Sequence, residues 1–193
     1  MSVSTRQQYA IGGFLALLLV VTRGHHLPST LHNMLPSASG AVFFLAGMYL
    51  RPLAGFAALC ALAAFADYAA IVWGGVNSFC ISPAYAALLP AYGSLWLAGR
   101  IYANRCGLDS IALLPLAASV FIGAVLCELI SSSSFYVFSG RFAEPSWAGF
   151  AIHFAQYFSA SLASLTCWVS AVAGIQALTA FVHGGNGLSL FKR

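Results

Sequence analysis

Few side chains in this sequence can bind or transform a ligand, and most of them stand in or beside apolar stretches. Asp67 is the one acid deep inside an apolar run. Ionisable residues in such runs normally face a cavity or a partner, so Asp67 reads either as a binding group or as one end of a helix–helix hydrogen bond. Glu128 lies nearer the end of its run, beside the serines at 131–134, where a snorkelling acid and a functional one are equally good readings. Cys80 sits in Gly74-Gly75-Val76-Asn77-Ser78-Phe79-Cys80-Ile81-Ser82-Pro83, a stretch without a charge in which polar groups such as Asn77 can reach the sulfur. A thiol there becomes a nucleophile or metal ligand when a metal or a positive field favours the thiolate, and is otherwise an inert loop residue. His25, His26 and His32 offer imidazoles suited to a transition metal, although adjacent histidines on a turn seldom point at one ion. His153 reads as a polar anchor at a helix start. Trp73, Tyr92, Trp96 and Trp147 read as lipid-facing or interfacial aromatics. Tyr68 and Tyr85 are the aromatics expected to line a pocket, because of the residues beside them.

The elements that must hold these groups follow from composition. The chain has 193 residues, 61% hydrophobic and only 6% charged, with a mean hydropathy of +0.87. Soluble domains carry about 25% charge, so twelve Asp, Glu, Lys and Arg side chains do not cover a water-facing particle of this size. The apolar runs are continuous rather than alternating, which predicts an all-α membrane protein rather than a barrel. Disordered, coiled-coil and nucleic-acid-binding classes are excluded together. Six apolar segments can be marked, at 9–21, 37–50, 52–73, 84–101, 111–130 and 147–182, and the whole of 1–193 forms a single transmembrane domain. The first two fall short of the roughly 17–25 residues that a span needs, so they extend into polar flanks or shelter among neighbours. The last is too long for one straight crossing and is expected to begin at the interface, near His153 and Gln156, before turning down. The serines at 131–134 are expected to fray the end of the fifth helix. The run at 9–21 has the length of a signal-peptide core, but Thr22-Arg23-Gly24-His25-His26 offers no small-x-small cleavage site, so it reads as a retained span.

Counting Lys and Arg sets the orientation. With both termini cytoplasmic, Arg6, Arg51, Arg100, Arg105, Lys192 and Arg193 lie inside, against Arg23 and Arg141 outside. Asp67, Glu128, Cys80, Asn77, Tyr85, His153 and the three loop histidines then gather at the outer face, which points to an outward-facing binding site. Five cysteines without CxxC spacing support neither a disulfide framework nor a zinc site. Cys60, Cys127 and Cys167 in apolar helices, and Cys106 in a basic loop, read as inert. No GxxxxGK[ST] run is present, so concentrative transport needs a partner, a gradient or trapping of the substrate.

Six short helices, an outer pocket and no phosphate-binding loop look like the substrate-binding S-components of energy-coupling-factor transporters. Asp67 in the third helix, Cys80 in Asn77-Ser78-Phe79-Cys80-Ile81-Ser82-Pro83 and Tyr85 just after it resemble the BtuM family of small bacterial cobalamin (vitamin B12) transporters, over essentially the whole chain. The resemblance implies a multi-pass protein of the bacterial inner membrane, with cobalamin as the transported substrate. The corrin would lie in the outer half of the bundle with its dimethylbenzimidazole base detached and the Cys80 sulfur as axial ligand of its cobalt. Thiolate is a soft, strongly donating ligand for such an ion. It weakens the bond on the opposite face, so the same cysteine implies decyanation of cyanocobalamin, the one catalytic step in view. Asp67, Tyr85, Tyr68 and Asn77 would hold the ligand's polar edge or orient the loop. The partners implied are cobalamin, the lipid bilayer and an energy-coupling-factor ATPase module. The chain departs from S-components at the last of these: the Ala-x-x-x-Ala docking pattern of the first helix is replaced by Gly12 to Ala16 and Ala10 to Phe14.

Two other classes stay open on the residues alone. A membrane thiol oxidoreductase would use Cys80, although quinone-linked disulfide chemistry needs paired outer cysteines and only one faces outside. A transition-metal carrier would use His25, His26 and His32.

Overall fold

The computed structural model describes residues 4–23, 36–50, 52–73, 82–107, 112–142 and 146–182. Every regular element among them is helical: α1 (Thr5–Arg23), α2 (Ser39–Tyr49), α3 (Leu53–Val72), a 3-10 helix (Pro83–Ala87) leading directly into α4 (Leu88–Cys106), α5 (Leu113–Phe138) and α6 (Trp147–Val182).

Local chemistry sets the helix ends. At the start of α1 the Ser4 N–H donates to Gln7 Oε1 at 2.9 Å and the Gln7 N–H donates to Ser4 Oγ at 3.3 Å, a reciprocal cap. That cap begins the helix four residues ahead of the apolar run. Pro52, in extended backbone, precedes α3. Gly107 closes α4 and Gly140 follows α5, with φ of +73° and +69°, a region that favours glycine.

Two sequence expectations are corrected here. The serines at 131–134 do not fray α5, which continues to Phe138. Ser131 and Ser133 turn their hydroxyls back onto the carbonyls of Glu128 and Ile130, three residues earlier, and Ser132 bonds the Glu128 side chain, so the hydroxyls are satisfied without opening the helix. The long sixth segment does not break near His153 either. It is one α-helix of 36 residues, about 54 Å long at 1.5 Å per residue, and no proline interrupts it.

The shortness of α2 has a packing explanation. With 11 residues it reaches only about 17 Å, yet Ala41, Val42, Phe43, Phe44, Leu45 and Ala46 are all essentially inaccessible. It is an inner helix wrapped by the others, so its surface need not match the bilayer. Its closest neighbour is α4, and two glycines make that approach possible. A Cβ on Gly47 would fall on the carbonyl of Trp96, and one on Gly99 would fall on the carbonyl of Phe44. Small residues that let backbones touch are the usual means of close helix packing in lipid, where apolar burial gives no drive for association.

The outer faces are apolar as well. Leu53, Phe65, Leu114, Phe121, Ile152 and Phe181 are exposed, which a water-soluble protein does not sustain over contiguous surface. The helices α3, α5 and, over Trp147–Thr179, α6 are long and apolar enough to cross a membrane. The chain is a helical membrane protein.

Candidate functional site

Alternating helices bring the end of α1, the start of α2, the end of α3 and the start of α4 to one end of the bundle. Arg23, the last residue of α1, joins them. Its Nε donates to Asp67 Oδ1 and its Nη2 to Asp67 Oδ2, both at 2.7 Å, in the two-pronged geometry that suits a guanidinium and a carboxylate. Its Nη1 donates to Tyr92 Oη at 2.7 Å and to Ser39 Oγ at 3.2 Å. The Tyr85 hydroxyl donates to Asp67 Oδ2 at 2.7 Å. One guanidinium and one carboxylate therefore tie together α1, α2, α3, the 3-10 helix and α4. The Arg23 and Asp67 side chains are only 12% and 24% exposed, so removing either one leaves a charge with little water to solvate it.

Packing holds the cluster in register. The Tyr92 ring stacks on Phe43 of α2 with centroids 4.2 Å apart and planes 12° apart. The Thr22 hydroxyl donates to the Leu18 carbonyl at 2.8 Å and accepts from the Ala38 N–H at 3.2 Å, fixing the approach to α2 against α1. From α6, Trp168 Nε1 donates to the Pro36 carbonyl at 3.0 Å and Ser164 bonds the Ser37 carbonyl.

A second polar site lies between α5 and α6. Glu128 is 8% exposed; Ser132 bonds its Oε1, and Ser161 donates to its Oε2 at 2.9 Å. Nearer the start of α6, His153 stacks on Phe135 with planes 11° apart and is further enclosed by Tyr136, Phe142 and Tyr157.

The structure brings Asp67 and Tyr85 together. Tyr68, one residue on and so about 100° around the helix from Asp67, points elsewhere: it is 56% exposed and packs edge-on against Trp73. Cys80 and Asn77, with His25, His26 and His32, lie outside the described residues. The stretch holding Cys80 runs from Trp73, whose N–H donates to Ala69 O, to Ser82, whose carbonyl accepts from the Tyr85 N–H at 2.8 Å. The Ser82 hydroxyl is buried and has no hydrogen-bond partner among the described residues. Trp73 and Trp147 stand exposed as interfacial aromatics should. Tyr92 and Trp96 do not: Tyr92 turns to Arg23, and Trp96 packs against Phe56 with the Arg100 guanidinium over its ring. Among the described residues no group of three or more His, Cys, Asp or Glu side chains is placed to hold a metal, and Cys60, Cys106, Cys127 and Cys167 are free thiols.

Sequence reasoning missed Arg23, which it counted as a loop charge, along with Tyr92 and Ser39. A signal for Arg23 existed. A lone arginine closing one apolar run and a lone acid within another have few other partners in so apolar a chain.

The fold and the site together define a helical membrane protein with one buried polar cluster around Arg23 and Asp67 at one end of the bundle and a second around Glu128 between α5 and α6. Neither a protein-family model nor a curated protein matches the chain.

Proposed function

We propose that this protein is a cobalamin uptake protein of the bacterial inner membrane, similar to the BtuM family, with six spans and both termini cytoplasmic. In this reading the end of the bundle carrying Arg23, Asp67 and Tyr85 faces outward and receives cobalamin with its own base detached. The Cys80 thiolate donates an electron pair to one axial position of cobalt. On cyanocobalamin, cyanide then leaves the opposite face with its own bonding pair, the thiol proton passes to water, and cobalt keeps its oxidation state.

The observation that carries the reading is the 2.7 Å hydrogen bond from Tyr85 to Asp67. It joins the two flanks of the one stretch that holds Cys80, and Arg23 fixes its acceptor from the other side. A sulfur that must meet a metal within a few tenths of an ångström needs such support behind it, as metal ligands in general do. The Ser82 hydroxyl, two residues after Cys80 and without a partner among the described residues, offers a polar group to the ligand's amide-rich edge. Asp67 has both oxygens engaged, so its part is to position the loop rather than to exchange protons.

The test is the absorption spectrum of protein purified with added cobalamin. The wild type is expected to show an altered cobalt spectrum with the nucleotide base displaced. A variant with Cys60, Cys106, Cys127 and Cys167 all replaced by Ala should keep that spectrum, and Cys80→Ala should lose it. An unchanged spectrum in Cys80→Ala overturns axial ligation by this cysteine.

A further inference from the structure

α1 and α3 are joined at their far ends by Arg23 and Asp67, but their starts stand apart around a groove of about 470 Å³. Tyr9, Gly12 and Gly13 of α1 line one side of it, and Leu50 and Gly55 line the other. Leu50 closes the bottom: a Cβ on Gly12 would meet its side chain at 3.8 Å, and one on Gly55 would meet it at 3.3 Å. A Cβ on Gly13 would meet nothing within 4 Å. The groove therefore exists because three glycines leave it unfilled. It opens on the outer surface of the bundle, where Tyr9 is 78% and Leu53 65% exposed.

We propose that this groove binds one acyl chain of an anionic phospholipid, with the phosphate held at the mouth beside Arg6. On the side of a membrane protein such a groove faces hydrocarbon, and left unfilled it forfeits the dispersion contacts of its walls. Its length fits a chain from one leaflet. From Thr5 to Gly13 it follows α1 for about 12 Å, against roughly 15 Å of hydrocarbon in half a bilayer. Its walls favour a chain over a helix, because a helix about 10–12 Å across has to clear the Tyr9 ring to reach the glycines, whereas a flexible acyl chain passes beside it. The charge at the mouth selects the head group. Arg6 is exposed in the first turn of α1, next to Thr5, which with Gln8 gives the groove a polar end. Both helices begin here and present their positive poles, and no Asp or Glu precedes Asp67 in the sequence. An anionic head group is thus attracted with nothing nearby to repel it. The lipid completes the packing of the two helices that carry the Arg23–Asp67 pair, and its site stands apart from the transport reading above.

Native mass spectrometry of the full chain, delipidated in detergent and then supplied with dioleoylphosphatidylglycerol or dioleoylphosphatidylcholine, is the test. The wild type should retain one phosphatidylglycerol per chain and bind it roughly fivefold more tightly than phosphatidylcholine, the worth of one arginine near an anionic surface. Gly13→Leu puts a side chain into the open groove and should lose the retained lipid, with a thermal melt to show that the bundle is intact. Arg6→Gln, a change at an exposed position, decides the matter should Gly13→Leu fail to fold: it should bring the two lipids to within about twofold of each other. Equal retention by the wild type and Gly13→Leu, or equal affinity of the wild type for the two lipids, overturns the proposal. A wild-type dimer that Gly13→Leu dissociates overturns it in favour of a second copy of this chain as the occupant.

Discussion

Tyr85 donates a 2.7 Å hydrogen bond to Asp67 across 18 positions of sequence, and Arg23 grips the same carboxylate with two donors from a helix 44 positions earlier. The acid on α3 thus accepts from two other elements, α1 and the 3-10 helix, and the chain between Asp67 and Tyr85 is held at both ends. Such an arrangement resists movement at the mouth of the bundle more strongly than any one of its bonds.

Replacing Arg23 by Leu should be among the most damaging single changes in the protein. It leaves the largely buried Asp67 carboxylate without its guanidinium, a loss of about 3–5 kcal/mol for a broken buried pair. The melting temperature in detergent is the measurement, and Arg23→Leu combined with Asp67→Asn should recover a substantial part of the loss. A double variant no more stable than the single one would show that the unpaired charge is not the cause.

Tyr85→Phe removes one hydroxyl and keeps the ring. The fold should lose only about 1 kcal/mol, the usual net worth of one hydrogen bond. If the protein binds cobalamin as proposed, binding should weaken by several-fold, because the hydrogen bond joining the two flanks of the Cys80 stretch is lost. Titration of the purified variant with cobalamin tests this, with its thermal melt as the control that the bundle is intact.

Gly47→Ala should disrupt the α2–α4 contact, because the new methyl group falls on the Trp96 carbonyl and backbone cannot move aside as a side chain can. Overpacking of this kind costs roughly 1–3 kcal/mol or more. Gly13→Ala is the matched control, since nothing lies within 4 Å of a Cβ there. Size-exclusion profiles and melts of the two variants should separate clearly.

Much of the architecture could be read from composition. A chain with 6% charged residues has little choice but lipid, and in lipid a backbone must satisfy itself within helices. Asp67 stands out for the same reason, as an acid inside an apolar run. The helix boundaries were less visible, because Ser131, Ser132 and Ser133 look like a helix end in sequence while their hydroxyls bond back along α5.

What the sequence by itself determined was the class, the helical segments and the presence of two awkward acids. Tertiary structure alone decided which acid received a cation and which aromatics turned inward. In water an inward face is marked by apolar residues; in a bilayer the lipid side is apolar as well, so Tyr92 and Tyr68 look alike until their neighbours are known. Arg23 finds Asp67 44 positions away and Tyr92 69 positions away, and only the packing of α1 against α2 and α3, and of α2 against α4, sets those distances.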